Sequence, residues 1–245
     1  MRITIASDAD RIVLREVAGG DSLGWLLAKG GIEGWHGTPK VREGVTDGIG
    51  HDGDFWPQSL SQGSRVVTVH GFVCARSTME LARAVDRIDA LAGQRLTVTC
   101  EDAHGRRSAE GFLSDDPDPR LYPDERTATF ELVITCPDPR LYGPWVAYPG
   151  TGKARVANHG TAPSYPRVHA EGSPLTTLTL ACGGQTVEWK GSATELDLDL
   201  SDLAPSTGTL SQDNAFAVPP GGAAVSVSAT GTDAAVTILG RDAWR

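Results

Sequence analysis

Cysteine is scarce in this 245-residue sequence, and the few thiols are far apart. The four cysteines form no Cys-x-x-Cys pair and no Cys-His knuckle; they are Cys74, Cys100, Cys136 and Cys182. Their spacing signals neither a zinc site nor a disulfide framework. We therefore expect buried free thiols.

Basic charge and long apolar runs are also lacking. The 22 Lys and Arg residues are outnumbered by 31 Asp and Glu residues, which gives a net charge of −9. This sign argues against phosphate-backbone binding, so nucleic acid is not an expected partner. No stretch approaches membrane-spanning length, and charges interrupt residues 1–8, where a signal peptide needs an apolar run. We expect no membrane insertion, and synthesis in a cytoplasm.

One segment has helical periodicity. Ser77 and Glu80 have the spacing of a capping box, in which each side chain satisfies a backbone N–H of the first turn, and Gly93 supplies a stop signal. Apolar residues recur between them at three- and four-residue spacing: Leu81, Ala84, Val85, Ile88 and Leu91. The pattern predicts a helix over about 78–92 with one apolar stripe facing a sheet.

Strand patterns surround this helix. Alternating or β-rich stretches occur at residues 2–5, 11–17, 63–75, 94–101, 107–113 and 126–135. A hairpin is predicted around residues 102–105, and the alternation in 126–135 is typical of an antiparallel sheet with one wet face. The fold class is therefore mainly β, with an N-terminal β domain that contains one short helix.

A long loop is predicted between residues 30 and 63. Connections of this length are uncommon in a compact domain unless they have a function, such as reaching a neighbouring subunit. Its aromatic and acidic centre is a candidate subunit interface, since large aromatics bury much area at low entropic cost; the residues are Asp52, Asp54, Phe55, Trp56 and Pro57. The alternative is that the aromatics cover the domain's own core.

Composition changes near residues 143–152, where Pro and Gly indicate a linker. We place a domain boundary there, with domains at 1–145 and 146–245. Six candidate strands follow, at 167–170, 175–181, 186–190, 195–200, 223–229 and 235–239, and their spacing is typical of a β-sandwich. Trp189 could stack on a sugar ring if it is exposed on the sandwich face; half-buried packing is the alternative.

The order of these elements resembles distal tail proteins of long-tailed, non-contractile bacteriophages. The likeness covers residues 49–143, and its parts are Asp54-Phe55-Trp56-Pro57, the strand 65–71, the capped helix, the strand 96–100 and the Pro-Asp-Pro-Arg exit at 137–143. The resemblance implies a ring, usually of six copies, at the tail tip between the tail tube and the host-binding apparatus.

That resemblance also implies further properties of the chain. The partners would be copies of itself, the tail tube protein, and the tail-tip hub and tape-measure proteins. The C-terminal domain would be a galectin-like or jelly-roll sandwich, and the protein would be part of the virion, synthesised in the host bacterium. The chief alternative is a carbohydrate-binding adhesion module that uses the C-terminal sandwich to contact a host-surface glycan.

An enzyme reading depends on Gly20-Asp21-Ser22-Leu23-Gly24, which resembles the opening motif of serine esterases. Ser22 would need a histidine base to activate it. The resembled esterases carry that base in an Asp-x-x-His motif near the C-terminus, and none follows here. A parallel α/β sheet would also require several crossover helices. We expect no catalytic site.

Cofactor and metal motifs are equally incomplete. Residues 48–53 satisfy the Gly-x-Gly-x-x-Gly expression, but no strand precedes them and no helix follows. Two groups of acids offer oxygen ligands without the spacing of a calcium loop: Asp52 with Asp54, and Asp115 with Asp116 and Asp118. The six histidines show no paired spacing. We predict neither a cofactor nor a metal.

Overall fold

The computed structural model describes residues 1–17, 23–42, 46–47, 52, 54–57, 60–150 and 152–245. These residues form two compact units, Met1–Leu141 with Arg245 (unit 1) and Tyr142–Trp244 (unit 2). The division lies four residues before the boundary placed at 145/146 from composition. The fold is mainly β with one helix in the described residues, so the predicted fold class is confirmed.

The described elements are one helix, α1 (Thr78–Asp89), and twenty strands: β1 (Arg2–Ala6), β2 (Arg11–Arg15), β3 (Gly24–Glu33), β4 (Thr46–Asp47), β5 (Asp54–Phe55), β6 (Arg65–Cys74), β7 (Leu96–Asp102), β8 (Gly105–Leu113), β9 (Arg120–Leu121), β10 (Thr127–Cys136), β11 (Leu141–Tyr142), β12 (Val146–Pro149), β13 (Gly152–Val156), β14 (Arg167–Cys182), β15 (Gln185–Asp199), β16 (Ala204–Pro205), β17 (Thr209–Asp213), β18 (Ala223–Gly231), β19 (Ala235–Gly240) and β20 (Ala243–Trp244).

Unit 1 is built around a sheet that closes on itself. Its strands follow the order β8-β7-β1-β2-β3-β6-β10-β9, and a further pairing of β10 with β8 completes the ring of strands. Among the described residues of these strands, the pairing is antiparallel apart from one parallel pair, Arg15 with Leu26. Alternate residues of β6 are buried, as expected for a strand with one face on a core. The hairpin predicted at 102–105 is present, with Asp102 opposite Gly105.

Helix α1 packs on this sheet through the predicted stripe. Leu81, Ala84 and Ile88 are buried. The hydroxyl of Ser77 accepts the Glu80 N–H at 3.2 Å, whereas the Glu80 carboxylate accepts the Arg76 N–H at 2.9 Å, one residue earlier than the predicted box requires. The helix ends at Asp89, before the predicted 92, because the chain tightens into a turn that leads to Gly93.

The strand β3 was missed in the sequence. Residues 24–33 contain three glycines, so they read as loop, and the predicted loop 30–63 therefore starts too early. In the structure β3 pairs with β6 along most of its length, with a register shift between Leu27 and Ile32. Gly30 lies within that shift at a φ of 79°, a conformation that favours glycine. A bulge thus keeps the strand in the sheet.

Unit 2 is a sandwich in which two long strands belong to both layers. The first part of β14 pairs with β19, and its second part pairs with β18. β15 follows β14 throughout, with register shifts between Glu171 and Thr177. The predicted strands 167–170 and 175–181 are therefore one strand, as are 186–190 and 195–200. Bulged residues hid this continuity, because they interrupt the two-residue alternation.

Trp189 lies in the core of this sandwich. Its side chain has 0% exposure, and its indole Nε1 donates a hydrogen bond to the Thr207 carbonyl at 2.5 Å. Both faces of the ring are covered by packing, so stacking on a sugar is not available to it, and the glycan contact suggested for Trp189 is corrected. Gly183 and Gly184 make the predicted β14–β15 turn, both with positive φ.

Candidate subunit interface

A hairpin-like arm interrupts unit 1 between β3 and β6. We define the arm as residues 40–63. At its base the Arg42 N–H donates to the Ser61 carbonyl at 2.8 Å, and the Gly63 N–H donates to the Lys40 carbonyl at 2.9 Å. Farther out, β4 pairs with β5 in a two-stranded sheet separate from the closed sheet of unit 1. The outgoing and returning chains therefore run side by side at both levels.

The arm exposes large apolar side chains. Trp56 is 85% exposed and Phe55 is 54% exposed, and Leu60 and Val41 are exposed as well. Such side chains lose solvent-accessible apolar area only by contact with another surface, and their grouping on one segment is typical of an interaction site. The alternative that Phe55 and Trp56 cover the domain's own core does not hold for these side chains.

The other predicted interface residues lie on the same segment. Asp52 is exposed and Pro57 is half-buried, while the side chain of Asp54 lies outside the described part of the chain. The backbone of Asp54 pairs with Asp47 in the small sheet. The structure thus brings the predicted residues together on β5 and next to it. Their contact with a second subunit stays a prediction.

A buried arginine fixes the chain just outside the arm's base, and its role was missed in the sequence. Arg65, the first residue of β6, is 1% exposed. Its Nη1 donates to the carbonyls of Gly34, Trp35 and Gly37 at 2.7, 3.1 and 2.7 Å, and its Nε donates to Pro139 at 2.8 Å. Burial lowers its pKa. In the sequence, the one available signal was that this arginine occupies a core-facing position of a strand whose other core-facing residues are apolar.

Imidazoles and carboxylates meet throughout the described residues. Besides His169, four described histidines have a ring nitrogen within 4 Å of a carboxylate oxygen: His36, His70, His104 and His159. His169 lies 2.8 Å from an Asp197 oxygen and 3.2 Å from a Glu171 oxygen, and its hydrogen bonds to these two carboxylates, Asp197 first, raise its pKa. Sequence spacing could not reveal these pairs, because most of their partners are distant in the chain. His51 lies outside the described residues.

The cysteines are free thiols, as expected. Cys100 and Cys136 are buried, and Cys74 and Cys182 are partly buried. Burial is the main cause that raises the pKa of both Cys100 and Cys136 to about 11. These two thiols therefore stay protonated at neutral pH, which makes them poor nucleophiles.

The structure leaves the esterase and dinucleotide motifs largely undescribed. Ser22 lies outside the described residues, as do Gly20, Asp21, residues 48–51 and Gly53. Among the described acids, Asp115 and Asp116 each accept a backbone N–H within their own turn, at 2.9 and 3.0 Å, and Asp118 lies 3.3 Å from the Arg120 guanidinium. These oxygens already have donors.

The fold of the chain is similar to that of solved phage baseplate and adsorption-apparatus proteins. The chain is similar to the Dit protein of SPP1, described as a paradigm of the hub adsorption apparatus in phages that infect Gram-positive bacteria, with a TM-score of 0.68 and 17% identity over 99% of each chain. It is also similar to chains in the phage p2 baseplate in its activated conformation, with Ca or with Sr, at TM-scores of 0.55 and 0.53, 10% identity and 98% of each chain. The predicted resemblance to distal tail proteins is confirmed at the level of the fold.

Two further comparisons gave no match. No protein-family model and no curated protein matches the sequence. Within the part of the chain that the structure describes, no helix is long and apolar enough to cross a membrane.

Proposed function

We propose that this protein is a structural component of a phage tail tip. In this proposal identical subunits form a ring, of six copies, that joins the tail tube to the baseplate and the host-recognition hub. The partners are copies of the chain, the tail tube protein, and the hub and tape-measure proteins. The protein acts by its shape and its contacts and carries no catalytic group.

The observation that carries this proposal is the extent of the likeness to SPP1 Dit. The similarity covers 99% of both chains, so it includes both units as well as the elements between them. A shared barrel or sandwich alone would be weak support, because such folds serve many functions. Agreement over the complete order of a closed sheet with one helix, followed by a sandwich, is much more restrictive.

In this proposal the arm supplies a contact that closes the ring. A head-to-tail interface joins two different surfaces of neighbouring subunits, and a closed ring results when the rotation between them completes a full turn. A segment with exposed Phe55 and Trp56 can bury both aromatics on the next copy. This assignment also accounts for exposed apolar area that is costly in an isolated subunit.

The mass of the assembly in solution tests the proposal. The full chain, of 25.8 kDa, is examined by native mass spectrometry and negative-stain electron microscopy, alone and with the tail tube protein of the same phage. We expect closed rings of six copies in at least one condition. A monomer that neither self-associates nor binds the tube protein would contradict the proposal.

Substitutions in the arm test its role separately. The double variant Phe55→Ser with Trp56→Ser should stay folded, because both side chains are exposed, and should shift the ring toward monomers. Met79→Ser is a matched control, since Met79 is 65% exposed on α1. Rings of equal stability in the double variant and the wild type would exclude the arm as the contact.

Glycan binding by the C-terminal domain stays a prediction, and Trp189, the residue suggested for it, is buried. In the described part of unit 2 the tryptophan, tyrosine and phenylalanine side chains are buried or half-buried. Stacking on a sugar needs an accessible aromatic face, so the structural role is the better supported of the two. A glycan array probed with the full chain separates them, since saturable binding would favour the adhesion module.

A further inference from the structure

Two histidines and an aspartate from separate segments of unit 1 meet at its surface. His36 lies in the turn after β3, Asp102 is the last residue of β7, and His104 belongs to the turn between β7 and β8. His36 Nε2 lies 3.4 Å from Asp102 Oδ2, and His104 Nδ1 lies 3.6 Å from Asp102 Oδ1. The two imidazole centroids are 5.3 Å apart.

We propose that His36, Asp102 and His104 form a binding site for one divalent transition-metal ion, with Zn²⁺ as the best match. One ligand atom from each residue lies within 4.8 Å of the other two. In a tetrahedral zinc site with bonds of about 2.0–2.2 Å, neighbouring ligand atoms are about 3.3–3.6 Å apart. The two carboxylate–imidazole distances, 3.4 and 3.6 Å, are close to this length but end on different oxygens of Asp102. Side-chain rotations must therefore bring one carboxylate oxygen and both imidazole nitrogens onto a common ion.

The turn that carries His36 is held rigid from within. Arg65 donates to the carbonyls of Gly34 and Trp35 before it and of Gly37 after it. The indole of Trp35 is also buried. A ligand on such a fixed backbone loses little conformational freedom when it binds an ion, which favours affinity.

The β7–β8 hairpin holds the other two proposed ligands, Asp102 and His104, in a similarly fixed arrangement. Asp102 Oδ1 accepts the backbone N–H of His104 at 2.7 Å, which orients the carboxylate toward its own turn. The Cys100 thiol lies 3.9 Å from Asp102 Oδ2 and can donate to it as a weak hydrogen bond. The β7–β8 hairpin therefore presents Asp102 and His104 in a set geometry, independently of His36.

Nearby cations among the described residues do not compete for the aspartate. Arg2 and Arg106 both direct their guanidinium groups to Glu101, at 3.8 and 3.7 Å. Within the described residues, the Asp102 carboxylate lies within 4 Å of the two imidazoles. Both histidine side chains are more than half exposed, which leaves the fourth position of a tetrahedral ion open to water.

The donor set selects the kind of metal. Imidazole nitrogen suits Zn²⁺ and its transition-metal neighbours, whereas Ca²⁺ takes six to eight oxygen ligands. The cluster of His169, Glu195 and Asp197 in unit 2 offers one imidazole, both of whose nitrogens already face carboxylates. It is the weaker match for the same ions and so provides an internal comparison.

Calorimetric titration of the tag-free, reduced full chain with Zn²⁺ tests the site, and Co²⁺ absorption reports the coordination geometry. We expect one equivalent of Zn²⁺ to bind, and His36→Ala and His104→Ala each to weaken binding by about tenfold or more. His159→Ala and His169→Ala are matched controls that should bind as the wild type does. Ca²⁺ should not compete.

The thermal unfolding midpoint gives a second readout. Excess Zn²⁺ should raise it for the wild type, because an ion that binds the native state alone stabilises that state. The increase should disappear in His36→Ala, whose fold is checked by circular dichroism. No Zn²⁺ binding by the wild type, equal binding by His36→Ala, or loss of binding in His169→Ala instead would each overturn the proposal. The proposal concerns residues of one chain and does not depend on ring formation.

Discussion

The Arg87 guanidinium on α1 binds the Asp10 carboxylate in the turn between β1 and β2 through two hydrogen bonds. Nε lies 2.7 Å from Oδ2 and Nη2 lies 2.9 Å from Oδ1. The same guanidinium lies 5.4 Å from the centre of the Trp25 ring. This fork geometry links the one described helix to the first hairpin, two elements that are far apart in the sequence.

Asp10→Asn should destabilise unit 1 by about 1 kcal/mol at pH 7, a value reduced for the partial exposure of the pair. The hydrogen bond from Arg87 is the main cause that lowers the pKa of Asp10 below its usual 3.8. The stabilisation is therefore present above pH 3.8 and is lost as the pH falls through the lower, folded-state value. Urea unfolding at several pH values measures it. Asp8→Asn, on the same turn, is the control and should change the stability little.

Arg65→Met should cost about 3 kcal/mol of unfolding free energy, because it leaves four backbone carbonyls without their donor while keeping most of the side-chain volume. Urea unfolding followed by far-UV circular dichroism measures the loss. The control Arg106→Met removes an exposed guanidinium and should change stability by less than about 0.5 kcal/mol. Equal effects of the two substitutions would refute the anchoring role of Arg65.

Trp189→Phe should destabilise unit 2 by about 2 kcal/mol. It removes buried ring volume and leaves the Thr207 carbonyl without its indole donor. The measurement is thermal or urea unfolding monitored by tryptophan fluorescence. Trp56→Phe is the matched control: because its ring is exposed, its effect on the stability of the isolated subunit should be close to zero. A similar loss in both variants would contradict the packing role of Trp189.

Replacing His169 by Gln should change the pH dependence of stability. Asp197, Glu171 and Glu195 surround the imidazole, and hydrogen bonds to Asp197 and Glu171 raise its pKa above the ordinary 6.5. The extra stability of the wild type is therefore complete below pH 6.5 and decreases as the pH rises through the raised value. Unfolding of both proteins from pH 6 upward should show converging curves. A difference that grows with pH would have the wrong sign.

Local signals in the sequence were enough for the helix and for most strands of unit 1. Ser77 with Glu80 marks a helix start through groups that lie within one turn, so no tertiary information is needed. The strand β6 was placed within two residues at each end because its buried residues alternate. The strand β3 could not be found this way, since Gly30 and Gly31 interrupt its pattern and pairing with β6 compensates for them.

Local sequence signals were even less sufficient for the candidate sites than for the strands. Phe55 and Trp56 were identified because large apolar residues in a loop need an explanation, and the structure finds both exposed. Trp189 was left with two readings because burial depends on which strands lie above it. Nothing local connects His36 with His104: their contact depends on Arg65 fixing one turn and the β7–β8 hairpin fixing the other.

The two long strands of unit 2 have a consequence for how this unit comes apart. Since β14 and β15 are each shared between the layers, neither layer can open while the other keeps all its pairings. Loss of structure should spread across the whole sandwich in one cooperative event. A protein made in this way would resist partial fraying under mechanical load until the complete unit yields.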